Sequence, residues 1–222
     1  MKRADKIVSI AEAMSHIRDG DRIMVGGFGL RGNPDGLIDA LAASGRKDLT
    51  IISNDLGAPG EGLGQLLTNG QLKALIGSYY NWNPEAIEAY NRGELQVTLV
   101  PQGTLAESIR AAGAGIPAYY TPTAAGTDLA AGKETREIGG TLCVLEHAIY
   151  GDVALVKAWK ADRLGNLVYC KTARNFNPVM AMAARYTIAL VDEIVEPGEL
   201  DPESIVTPHV YVNAIVKEGA GQ

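Results

Sequence analysis

An α/β fold built on a mostly parallel sheet is predicted by three features of this sequence. Short apolar runs rich in Val, Ile and Leu recur without polar alternation, as strands buried on both faces do. Each early run opens into a loop rich in Gly, Asn or Pro, and most loops lead into apolar residues at helical spacing. Strand, loop and helix in succession describe a sheet covered on both faces.

The elements follow in order. Ser9 and Glu12 form a capping box, and Ile10, Met14 and Ile17 recur at helical spacing until Asp19-Gly20 stops the run. Arg22 to Val25 is a buried-type strand that runs into Gly26, Gly27, Gly29 and Gly32; four glycines in seven residues predict positive φ angles or a close approach to the backbone. Asn33 as N-cap and Pro34 at the first helical position open a helix carrying Leu37, Ile38 and Leu41, which Gly45 ends. Leu49 to Ser53 is the next strand, opening into Asn54-Asp55 and a glycine-rich segment to Gly64. Leu72 to Ile76 is a strand, Asn83-Pro84 starts a helix, and Leu95 to Val100 is a strand leading to Pro101-Gln102-Gly103. Thr104 with Glu107 reads as a second capping box, for a helix to about Ala112. Further on, Thr141 to Leu145, Val153 to Trp159, Thr187 to Val191 and Val210 to Val216 are strands, with a helix opening at Asn177-Pro178.

The chain has 222 residues, 46% hydrophobic and 21% charged, which suffices for a sizeable core and argues against disorder. It lacks a linker rich in Pro, Ser or charge and a repeat of fixed period, so residues 1–222 are expected to form one domain. A formal charge of −6 and a pI near 5.1 argue against a general nucleic-acid binder, which needs clustered Lys and Arg, and leave room only for a local basic pocket. Cys143 and Cys170 have no metal-type spacing and read as reduced thiols of a cytoplasmic protein. The charged N-terminus is unlike a signal peptide, no run approaches the length of a membrane span, and a soluble protein is expected. His16, His147 and His209 share no ligand spacing, so no metal site is expected.

Ligands of open parallel sheets bind beyond the carboxyl ends of the strands. Three loops leave such ends: Gly26 to Gly32, Asn54 to Gly57, and Pro101 to Gly103. If their strands lie side by side, the loops line one crevice furnished with backbone N–H groups and the carboxamides of Asn54 and Gln102. Neutral donors of this kind suit a developing oxyanion or a bound carboxylate. An ordinary turn is the alternative role for Asn54. Gly27-x-Gly29-x-x-Gly32 after a strand, with Asp55 at the end of the next, also matches the dinucleotide fingerprint, so an NAD(P)-dependent oxidoreductase is the alternative function. Against it, Asn33-Pro34 delays the helix until the glycines are finished, whereas a pyrophosphate needs the helix N-terminus among them. Arg174 to Pro178 reads either as a helix start with a packed Phe176 or as a contact between chains. Tyr79, Tyr80 and Trp82, and Tyr119-Tyr120, suit either an interface or the core.

Asp19 to Pro34, with its Gly-Gly-Phe centre and terminal G-x-P, resembles the first signature of the family I coenzyme A transferases. Ser53-Asn54, Gly62 to Gly64, Val100 to Glu107, Gly113 to Gly115, Lys157 to Asp162, Gly165 to Leu167, Thr172 to Pro178 and Gly198 to Pro202 carry the likeness over nearly the whole chain. It is similar to the alpha chain of the 3-oxoacid and acetate/acetoacetate type. The resemblance implies a three-layer α/β/α domain whose active site forms against a beta chain, commonly as an α2β2 heterotetramer. It implies transfer of CoA between a short-chain acyl-CoA, such as succinyl-CoA or acetyl-CoA, and an acid such as acetoacetate, through a glutamyl-CoA thioester. The nucleophilic glutamate belongs to a Ser-Glu-Asn-Gly motif of the beta chain; no such tetrapeptide occurs here, so Glu61 and Glu146 do not replace it. Coenzyme A thioester is then a substrate, and no permanently bound cofactor is implied. By the resemblance Asn54 and Gln102 stabilise oxyanions, and Gly26, Gly27, Phe28, Gly29, Leu30, Arg31 and Gly32 border the CoA thiol arm. The chain departs from the family pattern at Asp55, often Asn; at Ala58 to Glu61, usually more acidic and with less proline; and at Ala124, usually Gly.

Overall fold

The computed structural model describes residues 5–219. Ser9 caps α1 (Ile10–Met14) by accepting from the Glu12 amide. Then come β1 (Arg22–Val25), α2 (Asp35–Ala43), β2 (Leu49–Ile52), α3 (Gly64–Thr68), β3 (Leu72–Gly77) and α4 (Pro84–Asn91). Asn83 caps α4 as expected, its side chain accepting from the Ala86 amide. β4 (Gln96–Leu99) and α5 (Gln102–Gly113) follow, then β5 (Ala118–Thr121), β6 (Thr135–Ile138), β7 (Thr141–His147), β8 (Gly151–Asp162) and β9 (Leu167–Val168). α6 (Asn177–Ala183), β10 (Ala184–Val195) and β11 (Ala214–Lys217) complete the order.

The main sheet has eight strands in the order β11-β10-β8-β1-β2-β3-β4, parallel throughout except for β9, which pairs antiparallel with β8. Successive side chains of a strand face opposite ways. Ile23 and Val25 thus join Leu37, Ile38, Leu41 and Leu66 in a core beneath α1 to α4. Met24 faces the other side, with Ile109 of α5 and Met180 of α6. The result is the expected α/β/α sandwich. From β1 the chain winds outward through β2, β3 and β4; from β8 it winds the other way, so the order reverses between β1 and β8.

Several expectations need correction. Asn33 is not an N-cap and Pro34 does not occupy the first helical position: α2 starts at Asp35, and the Asn33 amide turns back to donate to the Gly29 carbonyl at 2.8 Å. Thr104 and Glu107 form no capping box, because α5 already begins at Gln102; Thr104 is buried inside the helix, and Glu107 pairs with Arg110 at 2.7 Å. The expected strand Val153 to Trp159 grows to twelve residues, as does its neighbour β10. Polar residues end the apolar runs, but cross-strand ion pairs continue the pairing, with Lys160 opposite Glu193 in register and bonded at 2.7 Å. Val210 lies in a 3-10 turn, so the last strand starts only at Ala214. A second sheet, antiparallel in the order β5-β7-β6, takes in Tyr119 and Tyr120; of its strands only β7 matches an expected one.

Candidate functional site

Beyond the carboxyl ends of β1 and β2 opens a cleft of about 450 Å3. Its walls come from the glycine loop, the segment Ser53 to Ala58, residues Glu61 to Leu63, the first turns of α2, and Trp82. Phe28 and Arg31 exchange both backbone hydrogen bonds, at 3.0 and 3.2 Å, making a tight turn with Gly29-Leu30 at its tip. Gly27, Gly29 and Gly32 hold φ values of 126°, 56° and 73°, the left-handed region that the glycine content predicted.

The close approach to this loop is made by the protein's own asparagines. A Cβ on Gly26 would lie 1.8 Å from Asn177 Oδ1, and one on Gly27 would lie 1.7 Å from Asn33 Oδ1. Asn175 Oδ1 accepts from the Gly27 amide at 3.1 Å, while Asn175 Nδ2 donates to the Arg31 carbonyl at 2.9 Å. Fully buried Asn177 donates to the Gly32 carbonyl at 2.9 Å and accepts from the Lys157 amide at 2.8 Å. The segment Arg174 to Pro178 is therefore a helix start with a buried Phe176, and its asparagines also brace the glycine loop against β8. Two Asn flanking a Phe just before a helix were the available signal.

That bracing changes what the loop can offer. The Gly26 amide goes to Leu155, Gly27 to Asn175, Phe28 to Arg31, Gly29 to Asp55, and Arg31 to Phe28. Within the loop only the amides of Leu30 and Gly32 lack an acceptor among the described residues. A pyrophosphate cradle needs several free N–H groups at a helix N-terminus, and here the first turn of α2 presents the Asp35 carboxylate to the cleft instead.

Asn54 is buried in the cleft wall: its Nδ2 donates to Asp55 Oδ2 and its Oδ1 accepts from the Ser78 hydroxyl, both at 2.9 Å. Gly26, Gly27, Gly29 and Leu30 line the cleft; Phe28, Arg31 and Gly32 do not. Gln102 also stands apart. The expectation that three loops share one crevice is corrected here, because β3 separates β2 from β4 and leaves Gln102 exposed on the first turn of α5. The mouth of the cleft is apolar and open: Leu30 is 84% exposed, and Trp82, 57% exposed, meets Tyr79 edge-on at 5.8 Å. Tyr80 is buried beneath, and desolvation drives its phenol well above the ordinary value, so it stays neutral.

Among the described residues no lysine, arginine or histidine lines the cleft, and no side chain in it is set up as a nucleophile with its base. The Ser53 hydroxyl is committed to the Asp55 carbonyl at 2.6 Å. Burial, then Asp39 and Glu218, raise the carboxyl of Asp35 above its usual range. His16 stacks on Tyr186 at 4.1 Å, and the described residues include no group of His, Cys, Asp or Glu arranged to hold a metal. The wall supplies oriented amides, apolar surface and the three carboxylates of Asp35, Asp55 and Glu61.

The family profile described as Coenzyme A transferase matches residues 7–218. Over 214 residues the chain is 55% identical to a chain of Bacillus subtilis (strain 168) named as one of the subunits of a probable succinyl-CoA:3-ketoacid coenzyme A transferase, covering 96% of this chain and 90% of that one. It is 52% identical over 210 residues to the corresponding chain of the 3-oxoadipate CoA-transferase of Pseudomonas putida, covering 94% and 91% of the two chains. Among solved structures, the acyl-CoA transferase YdiF of E. coli O157:H7, in a thioester complex with CoA, superposes with a TM-score of 0.87. That match, at 21% identity, covers 96% of this chain but 50% of YdiF, so this chain spans half the length of that protein. No helix among the described residues is long and apolar enough to cross a membrane.

Proposed function

The chain belongs to the coenzyme A transferase family, and from that premise we propose that it is the alpha chain of a two-chain enzyme. The pair moves coenzyme A from a short-chain acyl-CoA, such as succinyl-CoA or acetyl-CoA, to a carboxylic acid such as acetoacetate. The observation that carries this reading is a buried, fixed carboxamide in the wall of an open cleft, in a chain that lacks the Ser-Glu-Asn-Gly tetrapeptide. Relatives that are themselves named as single subunits of their transferases support a second chain. The oxidoreductase alternative finds no support in them, and the loop amides it requires are already bonded.

In the proposed reaction a glutamate of the beta chain attacks the thioester carbonyl carbon. The C–S bond breaks, leaving an acyl-glutamyl anhydride and CoA thiolate. The thiolate attacks the glutamyl carbonyl of the anhydride, releasing the first acid and forming a glutamyl-CoA thioester. The second acid's carboxylate then attacks this thioester and expels the thiolate, which takes the new acyl group and frees the glutamate. Thioester energy is conserved because water never becomes the acceptor. Every attack places negative charge on a carbonyl oxygen, where Asn54 acts from the cleft wall; Gln102, exposed at the start of α5 outside this cleft, would join it only once the beta chain completes the site. The glycine loop, Gly26 to Gly32, borders the thiol arm, with Leu30 and Trp82 forming an apolar collar. An α2β2 assembly in the cytoplasm completes the proposal.

Purification of this chain alone and together with its beta chain tests the proposal. CoA transfer between succinyl-CoA and acetoacetate is expected only from the pair; full transfer by the single chain would refute the shared site.

A further inference from the structure

We propose that Asp55 is a positioning residue that sets which way round Asn54 presents its carboxamide to the reacting carbonyl, and that it locks the glycine loop to that orientation. The inference rests on the transferase reading of the cleft. Asp55 Oδ2 accepts from Asn54 Nδ2 and from the Gly29 amide, each at 2.9 Å, and Asp55 Oδ1 accepts from the Gly57 amide at 3.2 Å. One carboxylate thus ties together the loop after β1, the residue after β2 and the turn that follows. Three N–H donors also spread its charge, so it can stand beside a developing oxyanion.

The sense of the Asn54 amide is decided by Asp55 alone. Its Oδ1 faces the Ser78 hydroxyl at 2.9 Å, but a hydroxyl can donate or accept and would tolerate either orientation. An ionised carboxylate only accepts. Turning the Asn54 amide over would set its oxygen against Asp55 Oδ2, two acceptors face to face, so the orientation with Nδ2 toward Asp55 is enforced. One proton of Nδ2 is then spent on Asp55, and the second has no acceptor among the described residues while Asn54 lines the cleft. The wall therefore keeps a fixed N–H donor that does not reorient as charge develops, the condition under which such a donor accelerates reaction. An asparagine at position 55 would lack this discrimination, because it can show Asn54 either its oxygen or its NH2.

The test is a variant cycle in the assembled two-chain enzyme. Asn54→Ala should lower kcat by about 10² and Asp55→Ala by about tenfold or more, each with a smaller change in KM. If Asp55 acts through Asn54, the double variant is no slower than Asn54→Ala alone, because interacting residues are not additive. Asp55→Asn, which keeps size and some bonds, should recover part of the loss and serves where Asp55→Ala fails to assemble. Hydrogen exchange of the complex should show the amides of 26–32 exchanging faster in both Asp55 variants. Additive losses, or variants that lower thermal stability with kcat intact, would overturn the positioning role while leaving the transferase reading in place. A wild-type complex that moves no CoA would remove both.

Discussion

Gly26→Ala tests the bracing of the glycine loop. Gly26 does not lie in the left-handed region, so alanine is conformationally acceptable and the effect must be steric. The added Cβ would sit 1.8 Å from Oδ1 and 2.6 Å from Cγ of Asn177, which has no room to give because it is fully buried. Displacing that amide breaks its bonds to the Lys157 amide at 2.8 Å and to the carbonyls of Gly32 and Ala173, both at 2.9 Å. At about 1 to 1.5 kcal/mol per net hydrogen bond, three bonds amount to about 3 to 4.5 kcal/mol, at or above the top of the usual range for single substitutions. Urea unfolding followed by the fluorescence of Trp82 and Trp159 measures it. Asn177→Ala should cost a similar amount, and adding Gly26→Ala to it should cost little more, since the clashing group has gone. A Gly26→Ala protein within about 1 kcal/mol of wild type, or strict additivity with Asn177→Ala, would refute this account.

Gln102→Ala should lower kcat by about 10² with assembly intact, read from steady-state kinetics and gel filtration of the complex. Ala124 holds a φ of 64°; glycine there removes a strain of about 1 to 2 kcal/mol but adds unfolded-state freedom. Ala124→Gly should therefore stabilise by about 0.5 to 1 kcal/mol, a rise in Tm of about 1 to 4 °C. Asp35 has its carboxyl raised above the ordinary 3.8, chiefly by burial and then by Asp39 and Glu218, so the folded state holds this proton more tightly than the unfolded chain. The stability it contributes is complete below 3.8 and is lost as pH rises through the raised value. Asp35→Asn should therefore gain on wild type in urea midpoint as pH is raised across that window, and a constant difference would contradict the assignment.

The parallel sheet was legible because buried strands leave unbroken apolar runs, as at Leu49 to Ile52, and because Asn83-Pro84 is a local cap that tertiary contacts do not override. Asn33-Pro34 is the same dipeptide but fails as a cap, since the Asn33 side chain is claimed by the Gly29 carbonyl. Most of the small sheet was not legible, because β6 is exposed along its whole length and carries no apolar pattern. The glycine loop and Asn54 were visible as candidates, but the partners that hold them were not. Asn175 and Asn177 lie nearly 150 residues away in sequence from Gly27 and Gly32, at separations of 148 and 145, and nothing local marks such a pairing. Gln102 looked like a neighbour of Asn54 because strand order cannot be read from the sequence, and β3 separates their strands.

The central claim is that this chain supplies the amide-lined wall and another chain supplies the nucleophile. Incubation of the assembled enzyme with acyl-CoA, followed by intact-mass measurement of the separated chains, tests it most directly. The account predicts a CoA adduct on the beta chain, at a glutamate, with this chain unmodified. An adduct on this chain, at Glu61 or any other carboxylate, would contradict it.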